Sequence, residues 1–362
     1  MLHAVVMAGG SGSRLWPQSR KARPKQLLRL IDDRTLLEAT LDRIGKSVPK
    51  DRIWISTSEA LVPAVLEEEG VEIADGRILQ EPIARNTAPC IGLAAIHLLH
   101  EDPDATMLVA PADHAISNSD AFTEAVQRAE SLIYEDDRRL IVFGINPTSP
   151  ATAFGYIERE GDALSADPPA VYSVRAFREK PDAATAESYL KRGGFYWNAG
   201  IFVWKAQTIL DQISTREPSI GAALENVAAT IGRPEYDETL RCEFERIPSI
   251  SIDYAVLEKA EHRIVVEAPF DWDDVGGWDS LERLGRPDEN GNVLDAERCA
   301  TLDSRGAIVQ CRDSKKVIAL SGVEDLVVVD THDALLIARR GDDESIRQLI
   351  ALIEENGWDD VL

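Results

Sequence analysis

Short apolar runs alternate with longer amphipathic segments through the first part of the chain. Each apolar run has the length of a buried strand, and each amphipathic segment has the length of a helix. The alternation predicts an α/β fold with a Rossmann-like, mostly parallel sheet flanked by helices. The predicted strands are residues 3–7, 53–56, 77–81, 106–110 and 139–145, and the predicted helices between them are about 35–44, 58–69, 86–100 and 120–134. Thr35 and Glu38 have the spacing of a capping box at the start of the first helix. Such sheets bind ligands at the carboxyl ends of their strands.

The character of the chain changes further along. Residues 154–270 mix predicted strands (171–177 and 200–204) with predicted helices (182–192 and 251–260). After a turn-rich segment at 287–292, short β-type runs follow one another every 8–10 residues and end in a helix over about 342–355. This spacing fits a sandwich, a roll or a short β-helix. We therefore predict two domains, residues 1–286 and a small β-rich C-terminal module over 287–362.

The charge balance excludes several classes of protein. The chain has 39 Lys and Arg against 63 Asp and Glu, a formal net charge of −24. So acidic a surface argues against binding to nucleic acid or to a membrane surface. No apolar run reaches the roughly 18 residues that a membrane span needs, the N-terminus lacks the pattern of a signal peptide, and the four cysteines are scattered. We therefore expect a cytoplasmic protein without a disulfide framework.

Acidic residues are missing from the start of this acidic chain. The first is Asp32, although roughly five would be expected before it at the average density. The same stretch carries six cations: Arg14, Arg20, Lys21, Arg23, Lys25 and Arg29. A local excess of cations in an acidic protein indicates that the segment handles an anion. The alternative is a chance fluctuation on a solvated loop.

A glycine loop follows the first predicted strand. It consists of Gly9, Gly10, Ser11, Gly12 and Ser13. Glycines allow backbone N–H groups to approach a phosphate closely, although many strand ends carry glycines only as turns. The loop lacks the Gly-Lys-Ser/Thr of a Walker A motif, and Leu15 replaces the third glycine of the dinucleotide fingerprint. Neither an ATPase nor an NAD enzyme is favoured. Prolines beside the loop would direct Arg14 and Lys25 toward one polyphosphate.

The loop and its continuation, Gly-Gly-Ser-Gly-Ser-Arg-Leu-Trp-Pro with Pro-Lys-Gln, carry a specific resemblance. They resemble the signature of nucleoside-diphosphate-sugar pyrophosphorylases, and more narrowly that of bacterial mannose-1-phosphate guanylyltransferases. Further matches occur in order over about 1–280: Glu81-Pro82 with Arg85-Asn86-Thr87-Ala88-Pro89, Pro111-Ala112-Asp113-His114, Phe154-Gly155-Tyr156-Ile157, Phe177-Arg178-Glu179-Lys180-Pro181, Trp197-Asn198-Ala199-Gly200, Ser251-Ile252-Asp253-Tyr254 and Trp272-Asp273-Asp274-Val275-Gly276-Gly277-Trp278. The resemblance implies the fold of the nucleotide-diphospho-sugar transferases.

The resemblance also implies a reaction. GMP would pass from GTP to mannose 1-phosphate, giving GDP-mannose and pyrophosphate with the help of Mg²⁺. The sugar-phosphate oxygen is already anionic, so the chemistry needs positioning and charge neutralisation rather than a strong base. By resemblance Asp113 and Asp274 would hold the metal, with Asp273 as a competitor for the second place. Lys180 would contact the sugar phosphate, and Arg14 and Lys25 the nucleotide phosphates.

Further residues are implied for the sugar and the base. Glu179, Asn198 and the Gly155 backbone would surround the sugar. Glu81 could accept hydrogen bonds from guanine, with Asn86 and Thr87 as helpers beside Asp113 on the nucleotide side. Simple helix capping is the alternative for Asn86 and Thr87, and a turn is the alternative for Asn198.

Two other functions stay open at this stage. The same chemistry could act on another sugar phosphate or nucleotide, and a non-catalytic homologue could bind nucleotide sugars. Some relatives carry an additional cupin-type isomerase domain, for which 362 residues are too few, so we expect the single activity. The C-terminal module would be structural or would hold a homodimer.

Overall fold

The computed structural model describes residues 1–10, 12–165 and 167–362. The strands are β1 (Leu2–Met7), β2 (Ile53–Ser58), β3 (Ile78–Glu81), β4 (Thr106–Pro111), β5 (Ala115–Ile116), β6 (Leu140–Ile145), β7 (Tyr156–Ser165), β8 (Val171–Arg178), β9 (Phe195–Lys205), β10 (Arg263–Glu267), β11 (Trp272–Asp273), β12 (Val293–Ala296), β13 (Cys299–Leu302), β14 (Ile308–Cys311), β15 (Ile318–Ser321), β16 (Leu326–Asp330) and β17 (Leu335–Arg339). The helices are α1 (Leu36–Ile44), α2 (Val62–Glu67), α3 (Thr87–Glu101), α4 (Ser119–Glu135), α5 (Ala183–Arg192), α6 (Ala206–Arg216), α7 (Pro218–Ala228), α8 (Tyr236–Arg246), α9 (Ser280–Leu284) and α10 (Asp343–Glu355).

A nine-stranded sheet forms the centre of the larger part of the chain. Its strand order is β3-β2-β1-β4-β9-β6-β10-β8-β7. β1 pairs in parallel with β2 and β4, whereas β9 lies antiparallel to β4 and β6. Taken together, the strand pairings show that β8 and β9 are antiparallel to the other seven strands of the sheet. The predicted fold, a mostly parallel α/β sheet flanked by helices, is confirmed.

Alternate residues of the strands pack into two separate cores, one on each face of the sheet. Val5 belongs to one core and Val6 to the other, and both are fully buried. Neighbouring side chains of a strand point to opposite faces, so helices must cover both. The short apolar runs of the sequence are therefore strands buried from two sides. Among the helices of the described residues, none is long and apolar enough to cross a membrane.

Several elements differ from the sequence-based prediction. The helix expected over 251–260 is a single π-helical turn at Asp253–Leu257. β7 was not anticipated, because polar and charged residues occupy much of its exposed outer half. The capping box predicted at Thr35 and Glu38 is present, with each residue's side chain accepting from the other's backbone N–H. That cap fixes where α1 begins, directly after the basic stretch.

The C-terminal module is a short β-helix closed by α10. β12, β14 and β16 stack in parallel, and β13 stacks in parallel on β15. Paired positions are 19 residues apart between β14 and β16 and between β13 and β15, as in Ile308↔Val327 and Cys299↔Ile318. The first coil is shorter, with Val293 opposite Ile308. The unequal coil lengths explain why the sequence shows no strict repeat, and the predicted β-rich module with its final helix is confirmed.

A third core joins the module to the rest of the chain. It combines residues that follow the glycine loop, residues of the Val-Gly-Gly-Trp motif, and residues of the β-helix and α10. Its buried members include Leu15, Trp16, Val275, Trp278, Val329 and Ile346. The C-terminal module therefore packs directly on the segments that carry the signature residues.

Candidate functional site

The glycine loop leaves the carboxyl end of β1 and packs against Lys25. Gly12 has a φ of +61°, and a Cβ added there would lie 2.2 Å from Lys25 Cβ, so only glycine fits. The Gln26 side-chain amide and the Thr57 hydroxyl each donate to the Ala8 carbonyl oxygen over 2.8 Å and anchor the start of the loop. Gly9 and Gly10 follow at that point, and Ser11 lies outside the described residues.

Lys25 joins three segments that are distant in the sequence. Its side chain is buried, and its Nζ lies 2.7 Å from Asp113 Oδ2. The same ammonium donates to the backbone carbonyl oxygen of Asp274. Asp113 follows β4 and also lies beside the glycine loop, because a Cβ added to Gly10 would be 3.9 Å from its Oδ2. The structure thus brings the loop, Lys25, Asp113 and Asp274 together at one edge of the sheet.

The two carboxylates at this edge differ in their electrostatic surroundings. Burial alone would raise the pKa of Asp113, but the positive charge of Lys25 and the nearby His114 bring it below its ordinary value. For Asp274, burial dominates and raises the pKa, with Lys25 opposing the shift and Asp273 adding to it. Within the described residues, no three His, Cys, Asp or Glu side chains converge as a metal-binding group.

Asp273 and Asp274 have different surroundings. The Asp273 carboxylate is buried and accepts from Arg283 Nε over 2.5 Å and from the Val275 N–H over 2.8 Å. Asp274 Oδ1 accepts from the Gly276 N–H over 3.2 Å. Arg283 thus holds the Asp273 carboxylate in a structural ion pair, while the Asp274 carbonyl faces Lys25.

Most of the basic stretch does not face this site. Arg20 pairs with Asp333 and Lys21 with Glu354, both in the C-terminal module. Arg23 and Arg29 both pair with Glu68. The expectation that the acid-free segment as a whole cradles an anion is wrong for these four cations, because acids distant in the sequence neutralise them.

Arg14 stands at the boundary between the two parts of the chain. It lies in the 3₁₀ turn Ser13–Leu15, and its Nη1 is 3.7 Å from Asp343 Oδ2 at the start of α10. Both side chains are partly exposed, at 36% and 40%. Arg14 therefore stays accessible from solvent at the end of the glycine loop.

A second group of predicted residues converges around Gly155. A Cβ added to Gly155 would lie 2.4 Å from Glu179 Oε2 and 3.4 Å from Asn198 Cβ. The Asn198 N–H donates to the Gly155 carbonyl oxygen over 2.8 Å. Lys180 is exposed, has a φ of +45°, and holds its Nζ 3.1 Å from Glu179 Oε1. Glycine at 155 thus leaves the space in which the Glu179 carboxylate lies.

Asp253 belongs to the same group, although the sequence alone predicts no role for it. Its Oδ1 accepts from Asn198 Nδ2 over 3.0 Å, and the Asn198 Oδ1 accepts from the Gly200 N–H over 3.0 Å. Burial, with the negative charge of Glu179 added to it, raises the pKa of Asp253 to about 7. The available signal was an acid at the first position of a short helical turn, within a motif already recognised.

The residues predicted for the base are held by the protein itself. Glu81 is buried and accepts from the Ser56 hydroxyl over 3.1 Å, and burial raises its pKa. Asn86 caps α3 by accepting from the Thr87 N–H over 2.8 Å. The Thr87 hydroxyl oxygen accepts from the Ile252 N–H over 2.8 Å, next to Asp253. This contact connects the start of α3 to the group around Gly155.

Comparison with known proteins identifies the family. A sequence model described as "Nucleotidyl transferase" matches residues 3–290. The mannose-1-phosphate guanylyltransferase of Klebsiella pneumoniae is 36% identical over 98% of this chain and 74% of its own length. The chain belongs to the mannose-1-phosphate guanylyltransferase family of nucleotidyl transferases. Enzymes of this family act on a nucleoside triphosphate and a sugar 1-phosphate.

Other relatives in this family support the assignment over the same span. The alginate biosynthesis protein AlgA of Pseudomonas aeruginosa is 34% identical over 98% of this chain and 72% of its own length. A solved structure from Thermus thermophilus, described as a mannose-1-phosphate geranyltransferase, is 35% identical with a TM-score of 0.86 and covers 98% of this chain and 99% of its own. A second sequence model, "MannoseP isomerase/GMP-like beta-helix domain", matches residues 297–352.

Proposed function

We propose that this nucleotidyltransferase uses GTP and mannose 1-phosphate, releasing pyrophosphate and GDP-mannose. The observation that carries the proposal is the meeting of the glycine loop, Lys25, Asp113 and Asp274 at one edge of the sheet. Mannose-1-phosphate guanylyltransferases that share about a third of its residues over nearly the whole chain support the choice of substrates. The reaction would take place in the cytoplasm.

On the nucleotide side, the chain supplies positive charge around the phosphates. Backbone N–H groups of Gly9, Gly10, Gly12 and Ser13 would approach the triphosphate, as glycine loops do at strand ends. Arg14 would bind phosphate oxygens with its planar guanidinium, and Lys25 would act as a point charge. The sugar-phosphate oxygen would attack the α-phosphorus, and pyrophosphate would leave. These cations would stabilise the charge that develops during transfer.

The family generally uses a divalent metal, and the donor set at this edge fits Mg²⁺. Asp113 and Asp274 offer hard carboxylate oxygens, which Mg²⁺ prefers, and phosphate oxygens and water complete its usual coordination. Asp273 is less suitable, because Arg283 and the Val275 N–H already occupy its carboxylate. When bound, the ion would neutralise phosphate charge. Lys25 would keep Asp113 ionised, since its ammonium lies 2.7 Å from that carboxylate.

On the sugar side, the group around Gly155 offers several polar contacts. Glu179 and Asn198 would bind sugar hydroxyls, and the Gly155 backbone would lie beside the sugar, with the missing side chain at Gly155 making room for the Glu179 carboxylate. Lys180 would contact the sugar phosphate from its exposed position beside Glu179. The Glu179 side chain is largely buried and therefore held in place, whereas the Lys180 ammonium beside it is exposed to solvent.

For the base, we propose that Glu81 accepts hydrogen bonds from guanine, with Asn86 and Thr87 nearby at the start of α3. Burial raises the pKa of the Glu81 carboxyl, and hydrogen bonds donated by guanine would stabilise its charged form. An adenine or uracil base presents a different pattern of donors, so Glu81 would contribute to base selectivity.

Pyrophosphate release from a panel of nucleoside triphosphates and sugar 1-phosphates tests this function. We expect the highest kcat/KM with GTP and mannose 1-phosphate, and activity that depends on Mg²⁺. A higher kcat/KM with another pair of nucleoside triphosphate and sugar 1-phosphate would change the proposed substrates but not the proposed reaction. Binding without turnover would support the alternative of a non-catalytic protein that binds nucleotide sugars. Interconversion of mannose 6-phosphate and fructose 6-phosphate, measured in parallel, would contradict a single activity.

A further inference from the structure

Arg43 is a buried cation without a counter-ion. It lies in the last turn of α1 and is 4% exposed. Its Nη2 donates to the Thr40 hydroxyl over 2.9 Å and its Nη1 to the Ile116 carbonyl oxygen over 3.4 Å. Its Nε has no hydrogen-bond partner, and no carboxylate of the described residues lies within 4.0 Å of the guanidinium. A buried charge is normally paired, so Arg43 calls for an explanation.

The residue lines a large cavity on the sheet face that α1 and α4 cover. This cavity has a volume of about 1110 Å³, and Trp197, Phe270 and Trp272 contribute apolar surface to it. A volume of this size accommodates a small organic ligand. The residues proposed above for GTP, mannose 1-phosphate and Mg²⁺ are not among those that line it. Trp197 and Asn198 point to opposite faces of β9, which separates the cavity from the group around Gly155.

The other cations of the cavity wall already have acidic partners. Arg34 lies 2.7 Å from an Asp32 oxygen and 3.1 Å from an Asp42 oxygen. Arg283 holds Asp273, and Lys46 lies 2.8 Å from Asp120. Among the described residues, Arg43 is therefore the one cation of this wall without an acidic partner. Its guanidinium carbon lies 5.4 Å from the centre of the Phe122 ring, a cation–π contact that offers the N–H groups no hydrogen-bond acceptor.

We propose that the cavity beside Arg43 is a second anion-binding site, which takes a phosphate group either free or carried by a small sugar. The guanidinium would supply charge-assisted hydrogen bonds to the phosphate oxygens, and the aromatic wall would contact a sugar where one is attached. Burial lowers the pKa of Arg43 only to about 10, so the side chain is cationic at neutral pH. The site is distinct from the proposed substrate site.

The wall between the two sites is thin. His114 and Asp273 line the cavity and are the chain neighbours of Asp113 and Asp274. The Trp272 indole N–H donates to His114 Nδ1 over 3.1 Å and fixes that ring in place. A ligand beside Arg43 would therefore contact the same short segments that carry the two proposed metal carboxylates.

Thermal unfolding in the presence of inorganic phosphate or glucose 6-phosphate tests the proposal at constant ionic strength. A ligand of the folded state raises Tm with its concentration. Part of the phosphate effect will come from the substrate site, which Arg43→Met leaves unchanged. We expect Arg43→Met to lose the rest of the rise in Tm. The apparent affinity for at least one of the two anions should fall about tenfold. Arg34→Met is the control, because its partners are acids of the chain, and it should keep the full response.

A second variant supplies the missing counter-ion from within the protein. Ala39 lines the same cavity one helical turn before Arg43. Ala39→Glu places a carboxylate at the i, i+4 position from the arginine. We expect this variant to have a higher Tm without ligand and a reduced response to the anion. Equal responses of wild type, Arg43→Met and Ala39→Glu to both anions would overturn the proposal, and Ala39→Glu decides the question if Arg43→Met does not fold.

Discussion

Arg14 and Asp343 face each other across the contact between the glycine loop and the C-terminal helix, with Nη1 of the arginine 3.7 Å from Oδ2 of the aspartate. The Asp343 carboxylate also lies over the Val-Gly-Gly-Trp motif, since a Cβ added to Gly277 would be 2.6 Å from its Oδ1. One carboxylate of the module thus contacts both segments that carry the proposed phosphate and metal residues. The Asp343 carboxylate therefore pairs with the same guanidinium that Arg14 would offer to a phosphate.

Asp343→Asn should therefore lower the KM for the nucleotide. The carboxylate and the triphosphate compete for Arg14, and an exposed ion pair contributes up to about 1 kcal/mol, so the decrease should be at most about fivefold. Steady-state kinetics at varied GTP measures it. Glu344→Gln is the matched control, because Glu344 pairs with Arg347 on the exposed side of α10. A higher KM in Asp343→Asn would instead mean that the carboxylate orients Arg14 for binding.

Ile346 anchors α10 in the core that the module shares with the glycine-loop segment. It is 2% exposed, whereas Leu352 on the same helix is 51% exposed. Ile346→Ala should lower the free energy of unfolding by about 2–4 kcal/mol, because it opens a cavity in a packed core. Leu352→Ala should change it by less than about 0.5 kcal/mol. Urea unfolding of the two variants makes the comparison, and equal losses would contradict a shared core.

Local patterns predicted much of the fold and part of the site. The strand before Gly9, the cap at Thr35 and the strand end before Asp113 depend on neighbouring residues, so the sequence indicated them correctly. The partners of Arg14 and Arg20 lie more than 300 positions away along the chain, and no local pattern points to them. Composition alone suggested that the basic stretch handles an anion, and it did not show which of the cations pair with acids of the chain instead.

The choice between Asp273 and Asp274 as metal ligand also depends on contacts between segments that are distant in the sequence. Asp273 and Asp274 are equivalent by residue type. The resemblance favoured Asp274 as the metal ligand, and the structure adds that Arg283 binds the Asp273 carboxylate. The contact of Asp253 with Asn198 was likewise not predictable from local pattern, because it joins segments 55 positions apart. Residue type and resemblance indicated the chemistry that we propose, and long-range contacts decide which residues of the same type are already bound by other side chains.

Asp274→Asn and Asp273→Asn should differ in the property they change. If Asp274 holds the metal, its amide variant should unfold normally but lose roughly a thousandfold in kcat, about 4 kcal/mol of transition-state stabilisation. Asp273→Asn removes the carboxylate that Arg283 binds, and should cost about 1–3 kcal/mol of stability. Activity titrated with Mg²⁺ and unfolding by urea separate the two effects. Near-normal turnover in Asp274→Asn with an inactive Asp273→Asn would reverse the assignment.

Asp253 should make the stability of the protein depend on pH. Its pKa rises from an ordinary value of 3.8 to about 7 in the folded protein, because burial and Glu179 disfavour the charged form, with Lys180 opposing them. Between these two values the folded state holds a proton that the unfolded state has lost. The free energy of unfolding should therefore fall as the pH rises from about 4 to about 7, and this contribution should then level off.

The size of that decrease follows from the shift of the pKa. A shift of about three units corresponds to at most about 4 kcal/mol, and water reaching the carboxyl would reduce it. Asp253→Asn keeps the shape of the side chain but cannot ionise, so its stability should lack this part of the pH dependence. Urea unfolding of both proteins at pH 5 and pH 8 measures the difference. Because Asn198 contacts Asp253, the pH profile of the KM for mannose 1-phosphate should flatten in the same variant, whereas parallel profiles in the two proteins would remove Asp253 from the sugar site.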